Sequence, residues 1–411
     1  MEKEVTVALV GLGGYGNFYL RSLFQGAAEH NMRLVAGIDP NPIACQHLAD
    51  LESAHIPIYP DLQHFYADNT ADLVMVVAPI HLHLPFTLTA LEHGSHVLCE
   101  KPLTGTIQDA YRMLEAADKS PNFVAIGYQW SFARAIQNLK QDVLSGVLGR
   151  PLCLRTKVLW PRAASYYVRN GWAAKLKASN GTWILDSPAQ NATAHYLHNC
   201  FYILGETRET SAWPVDVQAE LYRANPIENY DTAAIRCHTA DGAEILFYTA
   251  HPVPNNIGPV LRYEFEHAVV EYMHRGDQFV ARFHDGRVKS YGNPYNDDTD
   301  KLWQAADAVR QGRDAAPPAC GVLATIPHIL CINGAQESMW DIATFPPDII
   351  RRRHEVETGD TLTWVDGLQT ALETSYDQGK LPSEVGIPWA KSGKVVNLED
   401  YKWFPSSEQR I

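Results

Sequence analysis

Along the first third of the chain, short apolar runs alternate with amphipathic stretches. The runs VTVALVG, RLVAGID, ADLVMVVA, SHVLCE and NFVAIGY, the last ending at Tyr128, each have the length of a buried strand. Between them lie segments such as TIQDAYRMLEAADKS, whose apolar positions recur at helical spacing. Buried strands separated by helices predict an α/β domain with a doubly wound parallel sheet over residues 1–128.

The pattern changes after Gly149 and Pro151. Strands lengthen and begin to alternate, and TAAIRCHTADGAEILFYTA reads as an antiparallel pair turning at Asp241-Gly242. Residues 129–380 are therefore expected to form an α+β domain on an open, mainly antiparallel sheet. One helical insert, ILDSPAQNATAHYLHN, interrupts it, and helical periodicity is expected again from Thr299 to Gln378. Residues 381–411 read as an extended tail lying on the body.

Composition narrows the picture. A chain of 411 residues suits two domains, and 46% hydrophobic with 20% charged residues is globular. With 34 basic against 47 acidic side chains the net charge is −13, which argues against nucleic acid and anionic membranes as partners. Seven cysteines, scattered and without a CxxC pair, fit a reducing, cytoplasmic compartment. The start MEKEVTVALVG lacks a signal-peptide pattern, and no apolar run approaches the roughly 20 residues of a membrane helix.

The first strand runs into GLGGYG. Gly11, Gly13 and Gly16 form GxGxxG at a strand-to-helix junction, with Gly14 and Tyr15 inside the turn. The glycines allow a tight turn, close approach of backbone to a pyrophosphate, and close helix packing. The second strand ends at Asp39, 23 residues past Gly16, where a carboxylate would accept hydrogen bonds from a ribose diol. That acid repels a 2′-phosphate, and the following PNP offers no basic side chain, so NAD is expected over NADP.

Two further strand ends fall on the same edge, where ligands bind in open α/β sheets. One carries Pro79, Ile80, His81 and His83; the other carries Glu100, Lys101 and Pro102. The HxH pair lacks a third ligand of suitable spacing, so no metal site is expected.

Taken in order, GLGGYG, Asp39, APIHLH, CEKPL, GYQWSF and LSGVLGRP resemble the Gfo/Idh/MocA family of oxidoreductases, over about the first 160 residues well and over the rest in outline. The resemblance implies hydride transfer between NAD(P) and a small sugar, polyol or sugar derivative, in a homo-oligomer, dimer or tetramer. It implies that Lys101 is the catalytic lysine, and that Pro79, Ile80, His83 and Glu100 lie at the cofactor. Family members usually carry an aspartate and, four residues later, a histidine on a helix facing the nicotinamide.

In this chain the residue four after Asp186 is Gln190, which cannot serve as a base. Ser187, Pro188 and Gln190 read as a helix start with a capping box. Asn191, His195 and His198 then share one helical face, with His195 the best candidate for the titrating group. Asn191 stands where the family has its acid, and Asp186 is a candidate to supply the missing carboxylate, or else a residue favoured near a helix N-terminus. Aromatic and basic residues cluster in GYQWSFAR and LWPRAASYYVRNGW, which places Tyr128, Trp130, Arg162, Tyr167 and Trp172, with His198, around a substrate.

Two rival readings fit the same motifs: redox-neutral glycoside cleavage or elimination through a transient keto sugar, and a nucleotide-sensing regulator without catalysis.

Overall fold

The computed structural model describes residues 3–312 and 317–406. Six parallel strands form the first sheet: β1 (Val5–Val10), β2 (Met32–Ile38), β3 (Ile58–Tyr59), β4 (Leu73–Val76), β5 (His96–Cys99) and β6 (Val124–Ile126). Their order, β3-β2-β1-β4-β5-β6, reverses direction between β1 and β4, which opens a crevice at the carboxyl edge. Strands β1, β4 and β5 are almost wholly buried, because helices cover both faces.

The second sheet contains β7 (Pro151–Leu159), β8 (Pro214–Arg223), β9 (Thr232–Thr239), β10 (Glu244–Ala250), β11 (Ile257–Phe265), β12 (Ala268–Tyr272), β13 (Phe279–Phe283), β14 (Val288–Gly292) and β15 (Ala343–Thr344). Its order is β14-β13-β12-β11-β7-β10-β9-β8-β15. Neighbours are antiparallel except β7 with β10 and β15 with β8. The β9–β10 turn is the Asp241-Gly242 turn, with Gly242 at φ +84.

Helical periodicity from Thr299 to Gln378 holds only in part. Helices Asp300–Gln311, Val322–Ser338 and Leu368–Gln378 are present, but β16 (Ile350–Glu355) and β17 (Asp360–Val365) form a hairpin between the last two. The alternation in DTLTWV has period two, and that local signal outweighs the flanking helices. Residues 313–316 of the same stretch lie outside the described residues. In the tail, β18 (Val396–Asn397) pairs with β8. Tyr401 donates to Glu337 at 2.5 Å and Gln108 donates to the Phe404 carbonyl at 2.8 Å; residues 407–411 lie outside the described residues.

Helix Val322–Ser338 is mostly apolar and almost entirely buried, packing on helix Ile107–Lys119 and on β8. Its Asn333 accepts from Ile107 N at 2.8 Å and donates to Gly105 O at 3.0 Å, so it caps the neighbouring helix, whose own Thr106 makes no cap.

Candidate active site

The glycine turn follows β1. Gly11 has φ +86, and a Cβ there would lie 2.1 Å from Val77 O. At Gly16 the added atom would lie 2.1 Å from Gly11 O, and at Gly13 2.9 Å from the Ala44 methyl. At these three positions the space admits no side chain, and helix Gly16–Gly26 begins with neither a side-chain cap nor an acid in its first turn. Its first N–H groups bond back into the turn, Gly16 N to Gly13 O at 2.9 Å and Phe18 N to Tyr15 O at 3.0 Å, so what the helix start offers a phosphate is its positive dipole end. Asp39 accepts from Leu12 N at 3.0 Å and Asn41 N at 2.9 Å, which fixes its carboxylate at the end of β2. Tyr15, 44% exposed, and Pro79, partly exposed, border the same crevice. These residues fit a dinucleotide.

Three residues expected at the cofactor have buried side chains. His83 is buried, its ring nitrogens 2.8 Å from the carbonyls of Pro102 and Ala78, so it ties the β4 and β5 loops together. The Ile80 side chain belongs to the core. Glu100 is also buried, accepting from Tyr19 Oη at 2.7 Å, from Lys101 N at 3.1 Å and from the ammonium of Lys301, with which it forms a buried ion pair. That pair joins β5 to helix Asp300–Gln311.

Lys101 follows β5, and its peptide bond to Pro102 is cis. Its Nζ donates to Asn191 O at 2.7 Å and Asn191 Oδ1 at 2.9 Å. Asn191 Nδ2 in turn donates to Asp186 Oδ1 at 2.8 Å, while Asp186 Oδ2 accepts from Ala174 N at 2.6 Å and lies 3.6 Å from Arg169. Ala174 and Leu185 both hold positive φ, 55 and 56. For residues with a Cβ that costs about 1–2 kcal/mol each, strain the surrounding structure must hold.

The insert does not form one straight helix. Ser187 accepts from Gln190 N at 3.2 Å and Pro188 follows it, as expected at a helix start. The Gln190 side chain does not reach back, however: it donates to Thr104 O at 2.9 Å instead. Residues Pro188–Ala192 make one wide π turn, Thr193 breaks it, and Ala194–Ile203 is α-helical. The wide turn carries the Asn191 carbonyl and amide to Lys101.

His195 is partly buried, with Nδ1 buried and unpartnered. Burial, and then the nearby positive charge of Lys101, hold its pKa well below the usual imidazole range, so it is uncharged. Burial likewise lowers Lys101 to about 8, helped by Lys301 and Arg169 and opposed by Glu100 and Asp186. Burial raises the Asp186 carboxyl, with Arg169 as the main opposing influence.

Of the expected substrate residues, Tyr128, Trp130 and His198 are buried in packing. His198 stacks on Tyr128 at 3.9 Å and sits 3.1 Å from Ser131 Oγ, while Tyr128 Oη is 3.1 Å from His328. Trp130 packs edge-on against Tyr196, Tyr272, Phe279 and Tyr295. Arg162, Tyr167 and Trp172 are partly buried around helix Ala164–Val168. The Arg169 guanidinium lies 3.9 Å from the centre of the Tyr166 ring and 5.4 Å from that of Trp172.

Sequence reading missed Lys301, Arg169, Tyr166 and His251. Lys301 sits in NDDTDKLW, which reads as a solvated helix start, and only the tertiary fold reveals its burial. Among the described residues no group of three or more His, Cys, Asp or Glu could hold a metal ion. No helix among them is long and apolar enough to cross a membrane.

The six-stranded parallel sheet, with its glycine turn and a lysine held at the carboxyl edge, is a Rossmann-type α/β unit followed by a second, open sheet. Residues 5–128 match the Gfo/Idh/MocA family, described as an oxidoreductase family with an NAD-binding Rossmann fold. The chain is 32% identical over 143 residues to the D-glucoside 3-dehydrogenase of Escherichia coli (strain K12), covering 35% of this chain and 40% of that protein. It is 30% identical over 139 residues to the NADP(+)-type D-xylose 1-dehydrogenase of Haloarcula marismortui, covering 34% of this chain and 39% of that one. The matches thus span about two fifths of these relatives' length. In fold the chain resembles an oxidoreductase from Agrobacterium radiobacter solved with NAD+, L-tartaric acid and magnesium, with a TM-score of 0.66 at 16% identity over 82% of this chain and 97% of that one. The WlbA dehydrogenase of Bordetella pertussis gives a TM-score of 0.66 at 20% identity over the same shares.

Proposed function

We propose that this protein is an NAD-dependent oxidoreductase that moves a hydride between the nicotinamide and a secondary alcohol carbon of a sugar, polyol or sugar derivative. One observation carries the reading. Lys101 Nζ is held 2.7 and 2.9 Å from two oxygens of Asn191, in the same polar centre as uncharged His195 and on the sheet edge that carries the glycine turn. The sugar-dehydrogenase names of the relatives support the substrate class.

NAD, when bound, supplies the hydride acceptor. His195, being uncharged, has a ring lone pair free to take the hydroxyl proton as the C–H electron pair departs as hydride. The Lys101 ammonium stabilises the developing alkoxide, and Asn191 fixes where that ammonium points. In the reverse direction the same groups protonate the alkoxide. NAD is favoured over NADP because the fixed Asp39 carboxylate opposes a 2′-phosphate, and residues 40–46 contain no lysine or arginine.

The test is NADH formation from NAD and a pool of sugars, polyols and glycosides by the wild type, His195→Ala and Lys101→Ala. Each variant is expected to lose about 10²–10⁴ in kcat. Full turnover in either would overturn its assigned role.

A further inference from the structure

The chain is acidic overall, yet its cleft is not. Lys101 and Arg169 share the polar centre, Arg162 lies across the Tyr166 ring from Arg169, and the nearby carboxylates are already engaged. Glu100 is paired with Lys301, Asp186 accepts from Ala174 and Asn191 beside Arg169, and Asp231 accepts from Ala224 N, Asn225 N and Asn225 Nδ2. A net positive cleft in a chain of charge −13 concentrates anions at that one place.

The two arginines are not equivalent. Arg169 is occupied, donating to Tyr166 O at 2.6 Å and lying 3.6 Å from Asp186. Arg162 donates to the carbonyl of its own neighbour Pro161 at 3.2 Å and meets the Tyr166 side chain, and among the described residues it forms no ion pair with a carboxylate. Its Nε is buried and unpartnered. An unpaired buried guanidinium N–H is costly, and the Nε edge is one that can meet both oxygens of a carboxylate.

A second buried group beside it is also unsatisfied. His251 is 1% exposed; its Nδ1 lies 2.9 Å from the Trp160 carbonyl, which only accepts, so the proton sits on Nδ1. The Nε2 lone pair is then buried with no donor to meet it, and burial lowers this histidine to about 3, keeping it an acceptor. Tyr166 connects these groups: its ring centre is 5.0 Å from Arg162, 3.9 Å from Arg169 and 5.5 Å from the His251 ring. Through Arg169, Asp186 and Asn191 the cluster is joined to Lys101.

We propose that the substrate carries a carboxylate, as a uronic or aldonic acid does, bound by the free edge of Arg162 while His251 Nε2 accepts from a neighbouring hydroxyl. This rests on the oxidoreductase reading of the same site.

The test is calorimetric binding to the full chain saturated with NADH, using D-glucuronate against D-glucose, D-galacturonate against D-galactose, D-gluconate against D-glucitol, and D-glucose 6-phosphate. At least one acid is expected to bind about 30-fold or more tighter than its neutral partner. Arg162→Gln should cut that ratio below about threefold, Arg162→Lys should keep part of it, and NADH affinity in both variants reports an intact fold. Equal or better binding of the neutral partners, a ratio unchanged in Arg162→Gln, tight binding of the phosphate alone, or no binding at all would overturn the inference. Turnover with NAD on the same compounds separates the two claims. Acid binding that depends on Arg162, without NADH formation, would sink the oxidoreductase reading alone; NADH formed from neutral sugars without preference for acids would sink this inference alone.

Discussion

Replacing Glu100 by glutamine isolates what the buried ion pair does for the structure. The Lys301 side chain is 0% exposed and that of Glu100 is 6% exposed, so neither charge can turn to water when its partner is lost. In Glu100→Gln the Lys301 ammonium keeps neutral partners, the Gly127 carbonyl 3.5 Å away, the Tyr15 side chain, the Tyr19 ring and the new amide oxygen, but no opposite charge. An amide also puts an N–H donor where a carboxylate oxygen now meets Lys101 N. Breaking a buried pair in this way costs about 3–5 kcal/mol. Lys301→Met should cost less, because Glu100 still accepts from Tyr19 and Lys101 N and can take up a proton. The double variant removes both charges, so it should be no less stable than Glu100→Gln alone, with a coupling energy of about 2 kcal/mol or more. Urea unfolding followed by circular dichroism and tryptophan fluorescence measures all four proteins. Single effects that simply add in the double variant would refute the claim that these two charges stabilise one another.

Other consequences follow from the same geometry. With Lys101 lowered to about 8, activity that needs its ammonium should fall as pH rises through about 8, well before an ordinary lysine titrates, and no acidic limb near 6.5 should come from His195; a pH–rate profile checks both. The Lys101 shift also has a stability sign: between about 8 and 10.5 the unfolded chain binds more protons, so this group's contribution becomes more favourable as pH rises through that window, measurable in urea midpoints against Lys101→Met. Gly16→Ala puts a methyl 2.1 Å from Gly11 O and should weaken NADH binding at least about tenfold, read by fluorescence titration. Asn333→Ala leaves Ile107 N and Gly105 O without their buried partner and should cost about 1–3 kcal/mol in the same urea assay.

The first sheet and its edge were readable in the sequence because their signals are local: period, glycine spacing and strand-end residues. Gly11, Asp39 and Lys101 stand where those signals put them, at the ends of β1, β2 and β5. The insert was harder. Asn191 bonds Lys101 and links it to Asp186, but a wide turn brings Asn191 there, and helical spacing does not encode a wide turn. Aromatic residues are ambiguous for a physical reason: Trp130 and Tyr128 have the composition of a sugar-binding surface, and the same rings serve equally well in a core. The partner of Glu100 lies 201 residues away at Lys301, so no window of sequence could show it, and Arg169 reaches Asp186 across an irregular segment with no periodicity to read.

The most direct test of the central claim counts reduced cofactor per subunit. Purified protein is mixed with NAD and pooled sugars, polyols and sugar acids, then denatured, and NADH is quantified by absorbance beside His195→Ala. The account predicts many equivalents of NADH per subunit from the wild type, and at least about 100-fold less from the variant. NADH never exceeding one equivalent per subunit, with nucleotide recovered from the denatured protein, would contradict net hydride transfer and favour redox-neutral chemistry or nucleotide sensing at this site.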